Sequence, residues 1–138
     1  MPDKILVIDD EPDIIKYLTS ILTDCEYDVK SAVSGKQGFE IIRTWYPDLI
    51  CLDIMMPEET GLSFYEKLKC DKNFRNIPVI IVSGVAQSQE FDFHSYLSDN
   101  SIPPPDHFME KPISVGEFVS TIKRLIESQS SPKRRSRK

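Results

Sequence analysis

Polar side chains that could do chemistry stand at the ends of short apolar runs in this 138-residue chain. Asp9 and Asp10 follow the run KILVI, and Asp53 follows DLICL. A third run, PVIIVS, ends in Ser83, and Lys111 comes directly after HFME. If these runs are strands that end at one edge of a sheet, the fold gathers three carboxylates, a hydroxyl and an ammonium group in one pocket.

The residue types in this pocket suit phosphoryl chemistry with a divalent cation. Mg²⁺ prefers oxygen ligands and takes only one or two protein carboxylates, which explains an acidic pair at Asp9 and Asp10. A carboxylate beside Mg²⁺ and a lysine can attack phosphorus, because both cations offset the charge on the transferring phosphoryl oxygens. This chemistry predicts that Asp53 is the nucleophile and that Lys111 supplies the ammonium group. Ser83 could donate a hydrogen bond to a phosphoryl oxygen and couple the chemistry to movement of the following loop.

Strands and helices that alternate along the chain would position these residues. Apolar runs predict strands at 4–8, 28–32, 48–53, 78–83 and 107–110. The helical spacing of apolar residues predicts helices that begin near Pro12, Ser34, Gly61 and Ser114. This alternation is typical of a parallel sheet that is buried on both faces. In such sheets the functional crevice lies beyond the carboxyl ends of the strands, where the candidate residues stand.

Length and composition predict one globular domain with a polar tail. The chain has 40% hydrophobic and 28% charged residues, which is ordinary for a soluble protein. No run approaches the roughly 20 apolar residues of a membrane span, and acids interrupt any signal-peptide pattern, so we expect a cytoplasmic protein without membrane insertion. We predict an acidic domain over 3–127. The Ser-rich, basic segment 128–138 lacks the large apolar residues that would offset the entropy of ordering, and we predict it to be disordered.

Four motifs resemble those of the response-regulator receiver domain of two-component signalling. They are VIDDEPD, DIMMPEETG, VIIVSG and EKPIS, in that order, each at a predicted strand end. The resemblance covers about residues 3–127. It implies an α/β, flavodoxin-like fold with a doubly wound five-stranded parallel sheet of strand order 2-1-3-4-5. It also implies a phosphorelay signalling protein and not an enzyme, with only self-phosphorylation from a phosphodonor and slow self-dephosphorylation.

The resemblance also implies roles for individual residues. Asp53 is the phosphoacceptor, and Asp10 and Asp53 ligate Mg²⁺ with Asp9 beside them. The backbone carbonyl of Met55 supplies a further ligand, and Lys111 contacts the phosphoryl group. The donor is a phosphohistidine on a sensor histidine kinase or a phosphotransfer protein, and phosphorylation switches the binding of an unidentified downstream protein.

The segment between the fourth and fifth predicted strands departs from the family pattern. The 27 residues between Ser83 and Lys111, which include the fifth predicted strand, exceed the family's usual spacing, and the prolines at 103–105 exclude helix there, so we predict a shortened or irregular fourth helix. By the resemblance, Ser83 and the family's mobile aromatic residue, which falls on Phe108, form the switch. Phe108 lacks the hydroxyl of the commoner tyrosine. Because this region belongs to the family's signalling face, homodimerisation and the output partner stay open.

Two other classes of function compete with a phosphorylated receiver. The altered segment favours a degenerate receiver that acts as a phosphorylation-independent protein-binding module. A phosphatase of the haloacid dehalogenase type also uses a strand-end Asp with Mg²⁺, but DDEPD does not match its first motif. Nucleic-acid binding is not expected, since residues 128–138 are too few for a helix-turn-helix and a solvated terminus explains their charge. The chain is either a stand-alone receiver or a fragment of a larger hybrid protein.

Overall fold

The computed structural model describes residues 3–53, 61–83 and 105–129. Within them five strands lie at Lys4–Ile8 (β1), Asp28–Ala32 (β2), Leu49–Leu52 (β3), Val79–Ser83 (β4) and His107–Glu110 (β5). Helices lie at Pro12–Asp24 (α1), Gly35–Thr44 (α2), Gly61–Cys70 (α3) and Val115–Gln129 (α4). Each strand end differs from its predicted position by at most one residue.

The five strands form one parallel sheet in the order β2-β1-β3-β4-β5, which confirms the predicted fold class and strand order. Because β1 pairs with β2 and β3 as far as Ile8, the residues that follow the strands emerge side by side. The Asp9 N–H donates a hydrogen bond to the carbonyl of Ala32 at 3.1 Å, and the Asp53 N–H donates one to the carbonyl of Ile8 at 2.9 Å. The sheet itself therefore fixes the positions of both acids.

The sheet is buried on both faces by the helices. Leu6 belongs to a core cluster with Phe64 of α3, whereas its neighbour Val7 belongs to a second cluster with Phe118 of α4. All four side chains are at most 1% exposed. Successive strand residues point to opposite faces, so burial on both faces requires a continuous apolar run instead of an alternating one.

Local signals fix where the helices begin. Pro12 is the first residue of α1, where its missing N–H costs no helical hydrogen bond. The Ser34 hydroxyl accepts a hydrogen bond from the Gln37 backbone N–H at 3.1 Å at the start of α2. The Ser114 hydroxyl accepts a longer one, at 3.4 Å, from the Glu117 N–H before α4. Both predicted serine caps are therefore present.

A glycine on the inner side of α2 lets this helix lie close to the sheet. A Cβ atom at Gly38 would stand 2.7 Å from Cδ1 of Ile8 and 3.2 Å from Cε1 of Phe64. Without that atom, α2 approaches both β1 and α3 closely. The two helices then form the walls of a groove on this face of the sheet.

Several predictions fall outside the described residues. They concern Met55, the irregular helix predicted before β5, and the tail. Of these segments, positions 84–104 and 130–138 are not described. Helix α4 ends at Gln129, two residues beyond the predicted domain end at 127, and the rest of the tail stays a prediction. Among the helices that the structure describes, none combines the length and the apolar character that a bilayer span requires.

Candidate functional site

Three carboxylates meet at the edge of the sheet where the strands end. Asp9 and Asp10 follow β1, Asp53 follows β3, and one carboxylate oxygen of each lies within 4.8 Å of the other two. Asp9 is 2% exposed and Asp53 is 3% exposed, whereas Asp10 is half-buried. Burying carboxylates this deeply is costly unless cations or hydrogen-bond donors accompany them. We therefore expect a positive charge close to these three carboxylates.

Lys111 brings positive charge to these carboxylates. It directly follows β5, and its Nζ lies 3.1 Å from Oδ2 of Asp9, 3.6 Å from Oδ2 of Asp53 and 2.8 Å from Oε1 of Glu11. Burial alone would lower the pKa of Lys111, but the hydrogen bond to Glu11 and the charges of Asp53 and Asp9 outweigh it and raise the pKa above the ordinary 10.5. The side chain is therefore a charged ammonium group at neutral pH. The peptide bond from Lys111 to Pro112 is cis.

Glu11 is a residue of this site that the sequence prediction missed. It immediately precedes α1, and its side chain makes no capping hydrogen bond to that helix. Instead its carboxylate accepts a hydrogen bond from Lys111, and its backbone N–H donates one to Oδ1 of Asp9 at 2.9 Å. The run of three acids in DDE was a usable signal, because Mg²⁺ takes only one or two carboxylates and leaves the third for another cation.

The donor set fits a hard divalent cation. Within the described ranges, Lys111 contacts three carboxylates, and Asp10 adds a fourth beside Asp9 and Asp53, so the pocket keeps a net negative charge. Carboxylate oxygens at this spacing are ligands that Mg²⁺ accepts. No histidine or cysteine among the described residues joins the cluster, which argues against a zinc site.

The predicted switch residues lie on the two strands at this side of the sheet. Ser83 is the last residue of β4 and pairs with Glu110, the last residue of β5. Its backbone therefore ends at the same edge as the acids, although its side chain is outside the described part. Phe108 lies within β5, half-buried, and packs against the core cluster beneath α2 and α3. The structure thus brings Asp9, Asp10, Asp53 and Lys111 together and places Ser83 at their edge.

Comparison with known proteins agrees with this arrangement. The response regulator receiver domain family matches residues 5–123. The chain belongs to this family. This receiver domain is therefore a module of two-component signalling and not a classical enzyme. Receiver domains bind Mg²⁺ at an acidic pocket, which is the chemistry that the carboxylate cluster fits.

The region that matches this chain makes up a different share of each relative's length. This receiver domain is 31% identical over 127 residues to the DNA-binding dual master transcriptional regulator RpaA of Synechocystis sp., covering 89% of this chain but 48% of RpaA. It is 29% identical over 123 residues to the polar-differentiation response regulator DivK of Brucella ovis, covering 89% of this chain and 95% of DivK. The chain thus spans about half the length of RpaA and nearly all of DivK.

A solved structure confirms the fold independently. The CheY-like response regulator receiver domain protein of Methanospirillum hungatei superposes with a TM-score of 0.80, covering 94% of this chain and 98% of that one. The two sequences are 24% identical. At that identity the likeness shows the shared fold and nothing about shared partners.

We predict that Glu11→Gln lowers the pKa of Lys111, because it removes the negative charge of the hydrogen-bonded carboxylate that raises this pKa most. NMR titration of the lysine side chain measures the shift, and Glu127→Gln on the exposed side of α4 is the matched control. The raised pKa means that the ion pairs of Lys111 stabilise the fold fully below pH 10.5 and lose this effect as the pH rises through the folded-state pKa. Glu11→Gln should reduce the loss of stability that the wild type shows at alkaline pH. An unchanged Lys111 pKa would contradict the contact.

Proposed function

We propose that this receiver domain accepts a phosphoryl group onto Asp53 in a Mg²⁺-dependent reaction and thereby switches the binding of a partner protein. The observation that supports this most directly is the clustering of the carboxylates of Asp9, Asp10 and Asp53 within 4.8 Å, with Nζ of Lys111 3.6 Å from Asp53. A nucleophile, candidate metal ligands and a positive charge then share one edge of the sheet.

In the proposed reaction a carboxylate oxygen of Asp53 attacks phosphorus and forms an O–P bond. The P–N bond to the donor histidine breaks, and the imidazole leaves with the bonding electron pair. Lys111 offsets charge on the phosphoryl oxygens, and Ser83 donates a hydrogen bond to one of them. Asp10 and Asp53, with Asp9 beside them, and the predicted carbonyl ligand of Met55 would hold Mg²⁺, which would supply further positive charge to the phosphoryl oxygens.

The proposed phosphorylation of Asp53 requires a phosphoryl donor and a downstream partner. Receiver domains interact with histidine kinases or phosphotransfer proteins, and we propose such a protein as the phosphohistidine donor. Movement of Ser83 toward the phosphoryl group, with reorientation of the half-buried Phe108 on the neighbouring strand, would change the surface that a downstream protein contacts. The DNA binding named for RpaA is not assigned to this chain. A cytoplasmic location and a homodimer stay predictions.

Intact-mass measurement after incubation with acetyl phosphate tests the proposal. We expect one phosphoryl adduct per chain in Mg²⁺ and none when EDTA replaces Mg²⁺. An unmodified mass in both conditions would contradict phosphorylation and favour the phosphorylation-independent binding module. Continuous release of phosphate from phosphomonoesters would instead favour a phosphatase.

A further inference from the structure

A groove of about 540 Å³ lies between α2 and α3, and its floor is aromatic. Phe39 of α2 contributes to this floor together with Phe64 of α3 and Phe74 of the following turn. The ring centroids of Phe39 and Phe64 are 4.8 Å apart, and those of Phe39 and Phe74 are 6.4 Å apart. Phe39 and Phe74 are only half-buried, so the groove offers ring surface to a ligand. Its volume is typical of small-molecule sites.

The rim of this groove is cationic. Lys36 and Arg43 lie on α2 about two helical turns, or roughly 10 Å, apart, and Lys67 lies on α3. Across residues 3–53, 61–83 and 105–129, no carboxylate forms an ion pair with any of the three. Two acids, Glu40 and Asp71, share the rim, and Asp71 is held in place by a hydrogen bond from the Asn73 backbone N–H at 2.8 Å. Three cationic side chains against two carboxylates leave the rim with a formal charge of +1.

The charge of the rim is opposite to that of the surrounding domain. The chain has a formal charge of −5, and five Lys or Arg in its last six residues leave −10 on residues 1–132. A positive patch on an acidic domain attracts anions, and the basic tail has the wrong sign to fill it. A second copy of this chain is also a poor fit, because a standard protein interface buries about 800 Å² per partner, far more than this groove provides.

We propose that the groove binds a small aromatic anion. Its ring would pack on Phe39 and Phe74, and its carboxylate, sulfonate or phosphate group would accept charge-assisted hydrogen bonds from Lys36 or Arg43. The wall formed by α2 is preformed, since Gly38 lets this helix pack tightly on the sheet. None of the phosphoryl-site residues discussed above lines the groove, so the proposed ligand would not contact them.

A pair of probes tests the ligand chemistry on the full chain. The probe is 8-anilinonaphthalene-1-sulfonate, and N-phenyl-1-naphthylamine, which has the same rings without the sulfonate, is its control. We expect fluorescence titration to show saturable binding of the sulfonate at one site and binding of the neutral probe that is weaker by about tenfold or more. Backbone amide shifts in NMR spectra should be confined to α2, α3 and the turn 71–74. Shifts elsewhere, or equal affinity for both probes, would overturn the proposal.

A matched pair of double variants tests the residues. Lys36→Gln with Arg43→Gln removes one lysine and one arginine from the rim, and Lys123→Gln with Arg124→Gln removes the same pair from the exposed side of α4. We expect about tenfold weaker sulfonate binding in the first and unchanged binding in the second. All four positions are exposed, so both variants should keep the urea midpoint of the wild type. Equal affinities, or probe binding only to self-associated protein, would overturn the site.

Discussion

Asp53→Asn is expected to abolish the phosphoryl adduct that acetyl phosphate forms with this receiver domain in the presence of Mg²⁺. The substitution keeps the shape of the side chain but replaces the charged oxygen nucleophile with a weakly nucleophilic amide. The backbone hydrogen bond from residue 53 to the carbonyl of Ile8 does not involve the side chain and should persist. Loss of the adduct would therefore report on chemistry and not on the position of this residue.

Asp13→Asn is the matched control for this variant. Asp13 lies exposed in the first turn of α1, close in sequence to the acidic pair. We expect it to form the adduct to the same extent as the wild type, as measured by intact mass. If Asp53→Asn still forms the adduct in full, a different residue is the acceptor, and peptide mapping of the modified chain would locate it.

The sequence predicted the clustering of the acids, because the backbone alone decides where their strands end. Parallel strands carry their carboxyl ends to one edge, so placing Asp9 after β1 and Asp53 after β3 was enough to predict that they meet. The strand ends themselves were predictable because continuous apolar runs stop at charged residues, as KILVI stops at Asp9.

Side-chain direction and helix packing set the limit of such predictions. The contact between Glu11 and Lys111 joins residues 100 positions apart, and it depends on the direction in which the Glu11 side chain points. The aromatic groove depends on how closely α2 approaches α3, which follows from the contacts that Gly38 permits in three dimensions. The acidic run DDE could have pointed to an additional acid at the site, but the partner of Glu11 and the shape of the groove become visible only in three dimensions.

Lys111 is expected to contribute to stability as well as to chemistry, and Lys111→Gln separates the two roles. Without divalent cations, we expect this variant to lose about 2–4 kcal/mol in the free energy of unfolding. The reason is that Asp9, which is 2% exposed, loses the ammonium group 3.1 Å away and, within the described part of the chain, keeps only the hydrogen bond from the Glu11 N–H. Urea unfolding in EDTA measures the loss. Lys16→Gln, on the exposed side of α1, is the control and should unfold like the wild type.

Mg²⁺ should restore much of that stability in Lys111→Gln. A cation that binds the folded state stabilises it more the more tightly it binds, and removing an ammonium group 3.6 Å from Asp53 removes a competing positive charge. The stabilisation by Mg²⁺ should therefore be larger in Lys111→Gln than in the wild type. Equal stabilisation in both proteins would contradict a shared site for the metal and the lysine.

Whereas Mg²⁺ should bind Lys111→Gln more tightly than the wild type, the rate of phosphorylation should be lower in this variant. Even in saturating Mg²⁺, adduct formation from acetyl phosphate should be slower in Lys111→Gln, because no ammonium group offsets the charge on the phosphoryl oxygens. Tighter Mg²⁺ binding together with slower phosphorylation cannot result from misfolding, which would weaken both. If phosphorylation kept the rate of the wild type, Lys111 would serve only to neutralise the buried acids, and its proposed contact with the phosphoryl group would be wrong.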